Sequence, residues 1–148
     1  MAIYQRILAV IELTEEGRAV ARRARALASA LGAQLELLHV VEFVPVEPMG
    51  ESLMPSVEIE EELVSGAVRE LSTLATELGV AEDSARVEAG NVKAEIVRVA
   101  RERRSDLIVV GSRERHGPSI LVNLTEDTVM HAAPCDVLAV RIGAQRAR

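Results

Sequence analysis

Short apolar runs alternate with amphipathic helical patterns along the whole chain, and this alternation restricts the possible folds. Strands are predicted at Ile7–Ile11, Leu35–Val41, Ser84–Glu88, Asp106–Val110 and Asp136–Val140. The fourth is the most apolar and is therefore the expected centre of the sheet. Strands that alternate with helices favour right-handed crossovers, so we predict an α/β domain with one parallel sheet and helices on both faces.

The predicted helices have apolar stripes and recognisable ends. Thr14 is a candidate N-cap of the first helix, Gly32 ends it, and Gly79 ends the second helix. We expect Arg101, Glu102, Arg103 and Arg104 to form a solvated helix end. The stripes comprise Val20, Ala24, Leu27, Ala28 and Leu31 in the first helix, Leu63, Ala67, Leu71, Leu74 and Leu78 in the second, and Val92, Ile96, Val99 and Ala100 in the third. A last helix is predicted through Val129 and Met130, and residues 142–148 are expected to fray.

Composition indicates one domain, residues 1–148, and bears on whether the protein binds nucleic acid. The chain is 49% hydrophobic but only 1% aromatic, so its core must be built from aliphatic side chains. It has almost no aromatic side chains on which bases could stack, and its net charge is −6. Both features argue against nucleic-acid binding.

The single cysteine, Cys135, cannot form an internal disulfide, and the sequence begins without a signal-peptide pattern. No apolar run approaches the roughly 20 residues of a membrane helix. We therefore expect a cytoplasmic protein that does not insert into membranes. No cluster of Asp, His and Cys has metal-site spacing, so no metal is predicted.

The fourth strand runs into Gly111 and Ser112, which is where α/β proteins often hold a phosphate. If the strand order is 3-2-1-4-5, Glu12 and Gly111 flank the crevice in which such folds bind ligands. The segments that follow, Glu114–Pro118 and Asn123–Asp127, lack the glycines that would let backbone N–H groups reach an anion.

Five segments, in order and spacing, resemble the universal stress proteins: Arg6–Thr14, Leu37–Val40, Ala89–Asn91, Asp106–Ser112 and Ala133–Val140. The pattern is closest to the A-type members. The resemblance implies an adenine nucleotide alpha hydrolase-like fold with flavodoxin-like layering and strand order 3-2-1-4-5. It also implies a homodimer formed through the fifth strand, with Val137, Leu138, Ala139 and Val140 at the dimer edge.

ATP-binding members of that family carry a motif of three glycines, the last followed by serine or threonine. The corresponding positions here are Gly111, Glu114, Leu124 and Thr125, so two of the three glycines are missing. The A-type members also have a degenerate motif and are generally regarded as not binding ATP. The resemblance therefore favours a non-enzymatic stress-response protein without tight ATP binding or any other cofactor, acting on itself and on protein partners.

The alternative is a nucleotide-responsive regulator that binds ATP with magnesium. Glu12 stands where the family has an aspartate that contacts the nucleoside, and Val40 stands where a backbone group meets adenine. The site would comprise Ile11, Glu12, Val40, Gly111, Ser112, Arg113 and Thr125. A third possibility, a phosphoryl-transferring enzyme, lacks a recognisable base and metal ligands.

Charges near the last predicted helix bear on this choice. Asn123 and Glu126 have the spacing of a capping box, and Asp127 adds a carboxylate to the first turn, so a phosphate there would meet like charge. Arg113, Arg115 and His116 would instead attract an anion to the rim.

Two histidines and one long loop are the remaining candidates for a functional role. His39 has the position of a core histidine hydrogen-bonded to a neighbour, and no catalytic partner accompanies His116. The long loop Glu42–Ser56 carries Met49, Leu53 and Met54, which would form either a lid or an adaptable partner-binding patch.

Overall fold

The computed structural model describes residues 2–42, 56–113 and 129–142. The strands are β1 (Arg6–Val10), β2 (Gln34–Val41), β3 (Ala85–Ala89), β4 (Leu107–Arg113) and β5 (Asp136–Ile142). The helices are α1 (Glu15–Leu31), α2 (Ser56–Leu78) and α3 (Val92–Glu102), with a short 3-10 helix at Glu82–Ser84 and a helical turn at 129–132.

All paired strands are parallel and their order in the sheet is β3-β2-β1-β4-β5, which confirms the predicted topology. The expectation that the fourth strand is central was wrong, because β1 lies in the middle and β4 beside it. Both strands are nevertheless covered on two faces, which explains their similar apolar composition. Ile142 was expected to fray but is the last residue of β5 and lies opposite Arg113; residues 143–148 are outside the described part.

Helix α1 begins and ends where the sequence predicts. The Thr14 hydroxyl accepts a hydrogen bond from the Gly17 N–H (3.0 Å), so it caps the helix. Gly32 has φ +68°, a left-handed conformation that glycine adopts at little cost, and it ends α1. Gly79 has φ +71° immediately after α2.

Helix α2 buries Ala67, Leu71 and Leu74 of its predicted apolar stripe, whereas Leu63, the first residue of that stripe, is 48% exposed. The 23 residues of α2 span about 34 Å, whereas strands of five to eight residues span about 17 to 27 Å. A helix longer than the strands beneath it cannot be covered along its whole length, and the exposed apolar side chains Ile59 (54%) and Leu63 lie in the first turns of α2.

Two aliphatic cores lie on opposite faces of the sheet. One is formed by α1 and α2 with β1 and β2, and includes Val20, Ala24 and Leu71. The other is formed by α3 and the 129–132 turn, and includes Ile96, Val99 and Val129. The predicted inward stripe of α3 is thus confirmed, and the sheet has helices on both faces.

The end of α3 differs from expectation. Arg101, Glu102 and Arg104 are exposed, but Arg103 reaches across to β2 and donates through Nε and Nη2 to both carboxylate oxygens of Glu36. This contact joins residues 67 positions apart in the chain. Arg103 therefore makes a tertiary contact with β2 and is not part of a solvated end of α3.

Candidate functional site

The candidate site lies at the carboxyl edge of the sheet, where β1 is flanked by β2 and β4. In a parallel sheet of this order, helices leave toward opposite faces on the two sides of β1, and a crevice forms between the strand ends. The structure brings five of the predicted residues to this edge, because they lie within the last residues of three adjacent strands or just beyond them: Ile11, Glu12, Val40, Gly111 and Ser112.

Ile11 continues β1 and is fully buried. Its N–H donates to the Leu38 carbonyl (2.8 Å), and its own carbonyl accepts a hydrogen bond from His39 Nδ1 (2.7 Å). A carbonyl can only accept, so His39 carries a proton on Nδ1. The predicted hydrogen bond to a neighbour is confirmed, but His39 is half-buried rather than a core residue. The bond fixes the chain immediately before Glu12.

Glu12 is exposed at the crevice, and its backbone is pressed against the first turn of α1. A Cβ on Gly17 would overlap the Glu12 carbonyl oxygen and lie 3.0 Å from the Glu12 amide nitrogen. Only glycine allows this approach. This role could not be predicted from the sequence, where Gly17 is simply a residue of low helix propensity in the first turn of α1.

Val40 presents its main chain to the crevice. In a strand, the backbone groups of alternate residues face the same neighbour. Leu38 faces β1, as its bond to Ile11 shows, so Val40 also faces that side, beyond Val10 where β1 ends. On the other side, the Val41 carbonyl accepts from the Gly90 N–H (3.0 Å). The Val40 N–H and carbonyl are therefore directed into the space at the end of β1.

Gly111 and Ser112 were expected at a strand end and in the loop beyond it, but they lie inside β4, which continues to Arg113. They are opposite Val140 and Arg141 of β5, and Arg113 is opposite Ile142. A Cβ on Gly111 would lie 3.2 Å from Val20 Cγ2 and 3.0 Å from Ile142 Cδ1. Gly111 is therefore a site of close packing between α1 and β5.

Thr125, the remaining predicted nucleotide contact, lies outside the described residues. So do Glu114, Arg115, His116, Leu124, Glu126 and Asp127, and so does the part of the long loop that carries Met49, Leu53 and Met54.

Strand β5 forms one edge of the described sheet. Val137 and Ala139 pack on the α3 face, and Val140 is buried on the opposite face. Leu138 is 40% exposed, which makes it the most accessible of the four residues predicted at the dimer edge.

Other reactive groups lie away from the crevice. Burial, followed by the nearby carboxylates of Asp106 and Asp136, raises the pKa of the Cys135 thiol to about 11. Within the described ranges, no three His, Cys, Asp or Glu side chains are grouped so that they would hold a metal ion. Among the described helices, none combines the length and apolarity needed to cross a bilayer.

The sheet order and the two helical layers define an adenine nucleotide alpha hydrolase-like fold. The model of the universal stress protein family matches residues 3–141. The chain therefore belongs to the universal stress protein family.

Its relatives carry A-type names. Universal stress protein A homolog 2 of Coxiella burnetii is 34% identical over 140 residues, which cover 94% of this chain and 96% of the relative. Universal stress protein A homolog 1 of the same organism is 35% identical over 138 residues, covering 93% and 96%.

Solved structures have the same fold. UspA from Lactobacillus plantarum superposes with a TM-score of 0.70 at 25% identity, covering 95% of this chain and all of that one. A universal stress protein in complex with cAMP superposes with a TM-score of 0.67 at 21% identity, covering 95% of this chain and 98% of that one.

Proposed function

We propose that this protein is a cytoplasmic stress-response protein that acts as a homodimer, without enzymatic activity and without tight ATP binding. The observation that carries the proposal is the packing of Gly111 against Val20 and Ile142. That packing gives a structural reason for glycine at this position which does not involve a phosphate.

The surrounding sequence supports the absence of tight ATP binding. A loop that wraps a triphosphate needs backbone N–H groups at close approach, which glycines permit. Glu114 and Leu124 replace two glycines of the family motif, and Glu126 and Asp127 add negative charge. Each partly buried carboxylate close to a bound phosphate makes the free energy of binding less favourable by about 1 kcal/mol or more.

Dimerisation through β5 is supported by the position of this strand at an edge of the described sheet. An edge strand with unpaired backbone groups invites pairing with another chain, and self-pairing about a two-fold axis would cover it. Leu138, which is 40% exposed in the single chain, would then be buried between protomers. Burial in a dimer would account for an apolar side chain at this exposed position.

One observation favours the alternative of a nucleotide-responsive regulator. The Val40 main chain faces the space beyond β1, with Glu12 beside it, so a base has hydrogen-bonding groups to meet even without a phosphate loop. A universal stress protein of the same fold was solved in complex with cAMP, a nucleotide with a single phosphate. This alternative therefore predicts a preference for such nucleotides over ATP.

Titration calorimetry separates these possibilities. We expect no saturable heat in the micromolar range when ATP with magnesium is added to the native protein. The double variant Glu114→Gly/Leu124→Gly restores the missing glycines and should gain ATP affinity if their loss is the cause. Saturable binding of ATP by the native protein would overturn the proposal, whereas binding of cAMP alone would support the alternative.

Two further assays test the proposed absence of enzymatic activity and the proposed dimer. Multiple-turnover release of phosphate from ATP, lost on substitution of Gly111 or Arg113, would show an enzyme. Light scattering should give the mass of a dimer for the native protein and of a monomer for Leu138→Glu. Met130→Glu is the matched control, since Met130 is 50% exposed and lies outside β5.

A further inference from the structure

A cavity of about 350 Å³ lies at the amino ends of β1 and β2, on the opposite edge of the sheet from the crevice. Its walls come from the start of β1, the start of β2, the middle of α1, the end of α3 and the linker at 79–81 after α2. Three arginines, one carboxylate and one hydroxyl line it: Arg6, Arg25, Arg103, Glu36 and Ser84.

Two of these arginines are held in place by the protein. Arg25 donates through Nε to the Leu78 carbonyl at the end of α2 (2.9 Å) and through Nη1 to Ser29 Oγ (2.7 Å). Arg103 is fixed by its paired bonds to Glu36. A guanidinium has more N–H donors than these bonds use, so both side chains keep donors for a ligand. Fixed side chains also lose less entropy when a ligand binds.

The charges around the cavity are unbalanced. Glu36 is the only carboxylate among the described lining residues, and Arg103 engages both of its oxygens. In the described part of the chain, no carboxylate oxygen lies within 4.0 Å of a guanidinium nitrogen of Arg6 or Arg25. Arg6 donates only weakly, through Nη1 to the Arg103 carbonyl (3.3 Å). Asp83 and Glu102 act on Arg103 electrostatically but do not line the cavity.

We propose that this cavity binds a small oxyanion, namely the phosphate group of a small molecule or inorganic phosphate itself. Guanidinium groups suit phosphate because their planar N–H pairs match its oxygens. Arg6 and Arg25 supply the uncompensated positive charge, Arg103 is prearranged by Glu36, and Ser84 adds a hydroxyl donor. This site is separate from the carboxyl-edge crevice, so it stands whether or not a nucleotide binds there.

Titration of ¹⁵N-labelled full-length protein with inorganic phosphate, at constant ionic strength, tests the proposal. Saturable shifts are expected for amides around the cavity, such as those of Gln34, Val80 and Ser84. Arg6→Gln should weaken the affinity by about tenfold, the effect of losing one charge-assisted hydrogen bond. Arg25→Lys keeps the charge but not the fork of donors, and should weaken it less.

Arg23→Gln is the matched control, because this substitution removes the same charge as Arg6→Gln. Arg23 is exposed on α1 and does not line the cavity. Shifts that do not saturate, that centre on Ser112 at the other edge, or that Arg23→Gln reduces as much as Arg6→Gln would overturn the proposal. A parallel titration with glycerol phosphate identifies the source of the anion. If glycerol phosphate binds more tightly than inorganic phosphate, the natural ligand is a phosphate ester. If the two bind equally, the natural ligand is the free ion.

Discussion

The carbonyl oxygen of Glu12 occupies the space that any side chain on Gly17 would need. Because the Thr14 hydroxyl also accepts from the Gly17 N–H (3.0 Å), one glycine both completes the cap of α1 and lets the loop after β1 lie directly on the helix. A backbone contact with the first turn of α1 therefore helps to place the exposed Glu12.

Gly17→Ala is expected to destabilise the protein by about 1 to 3 kcal/mol, the usual cost of overpacking, because the clash is with backbone that cannot rotate away. Urea unfolding measures this free energy. Gly66→Ala is the matched control in α2. Among the described residues, a Cβ at Gly66 would meet nothing closer than the far end of Arg69 at 3.9 Å, so alanine there should stabilise the protein by up to about 1 kcal/mol. Equal effects of the two substitutions would contradict the contact with Glu12.

Packing at Gly111 gives a second prediction. Gly111→Ala would bring a methyl group 3.2 Å from Val20 Cγ2, so we expect a loss of about 1 kcal/mol in the free energy of unfolding. The double variant Gly111→Ala/Val20→Ala removes the close contact with Val20 and keeps the one with Ile142. The loss of free energy in the double variant should therefore be smaller than the sum of the losses in the two single variants. Strict additivity in this cycle would mean that Gly111 is not limited by α1.

The bond between His39 and Ile11 gives a third prediction. His39→Leu removes the donor to a carbonyl of a fully buried residue and should cost about 1 kcal/mol in unfolding free energy. His131→Leu changes the same side chain at an exposed position and should stay within about 0.5 kcal/mol of the native protein. A His39→Leu protein as stable as the control would show that the bond contributes nothing.

The sequence predicts the fold well because each strand and helix carries its own local signal. Thr14, Gly32 and Gly79 mark helix ends through short-range chemistry, and the structure has helix ends at all three. The errors concern long-range geometry. Leu63 has the spacing of the apolar stripe, but its side chain is 48% exposed.

The site was harder to predict for the same reason. From the sequence alone, Gly111 is interpreted as a glycine of a phosphate-binding loop. Its neighbours in space are Val20 of α1 and Ile142 of β5, which are distant from it in the chain. The contact between Arg103 and Glu36 spans 67 positions and leaves no pattern in either segment. What a glycine or an arginine does depends on the residues opposite it, which only the folded chain brings together.

Cys135 gives a prediction that depends on pH. Its thiol has a pKa raised to about 11, first because burial disfavours the thiolate and then because Asp106 and Asp136 are close. Near pH 8 the folded protein should therefore hold about a hundredfold less thiolate than an ordinary thiol, and iodoacetamide should alkylate it correspondingly more slowly than in urea. Equal rates in the folded and unfolded protein would contradict the raised pKa.

The same shift links Cys135 to stability. Between about pH 9 and about pH 11 the unfolded chain loses the thiol proton while the folded chain keeps it, so the unfolded state binds fewer protons and stability falls as pH rises. The Tyr4 hydroxyl, whose pKa is raised chiefly by its hydrogen bond to Asp136, contributes in the same direction. Cys135→Ala removes the contribution of the thiol and keeps the hydrogen bond to Asp136, which is the chief cause of the contribution of Tyr4. Its unfolding free energy should therefore decline less steeply than that of the native protein across this range, and parallel declines would show that Cys135 does not contribute.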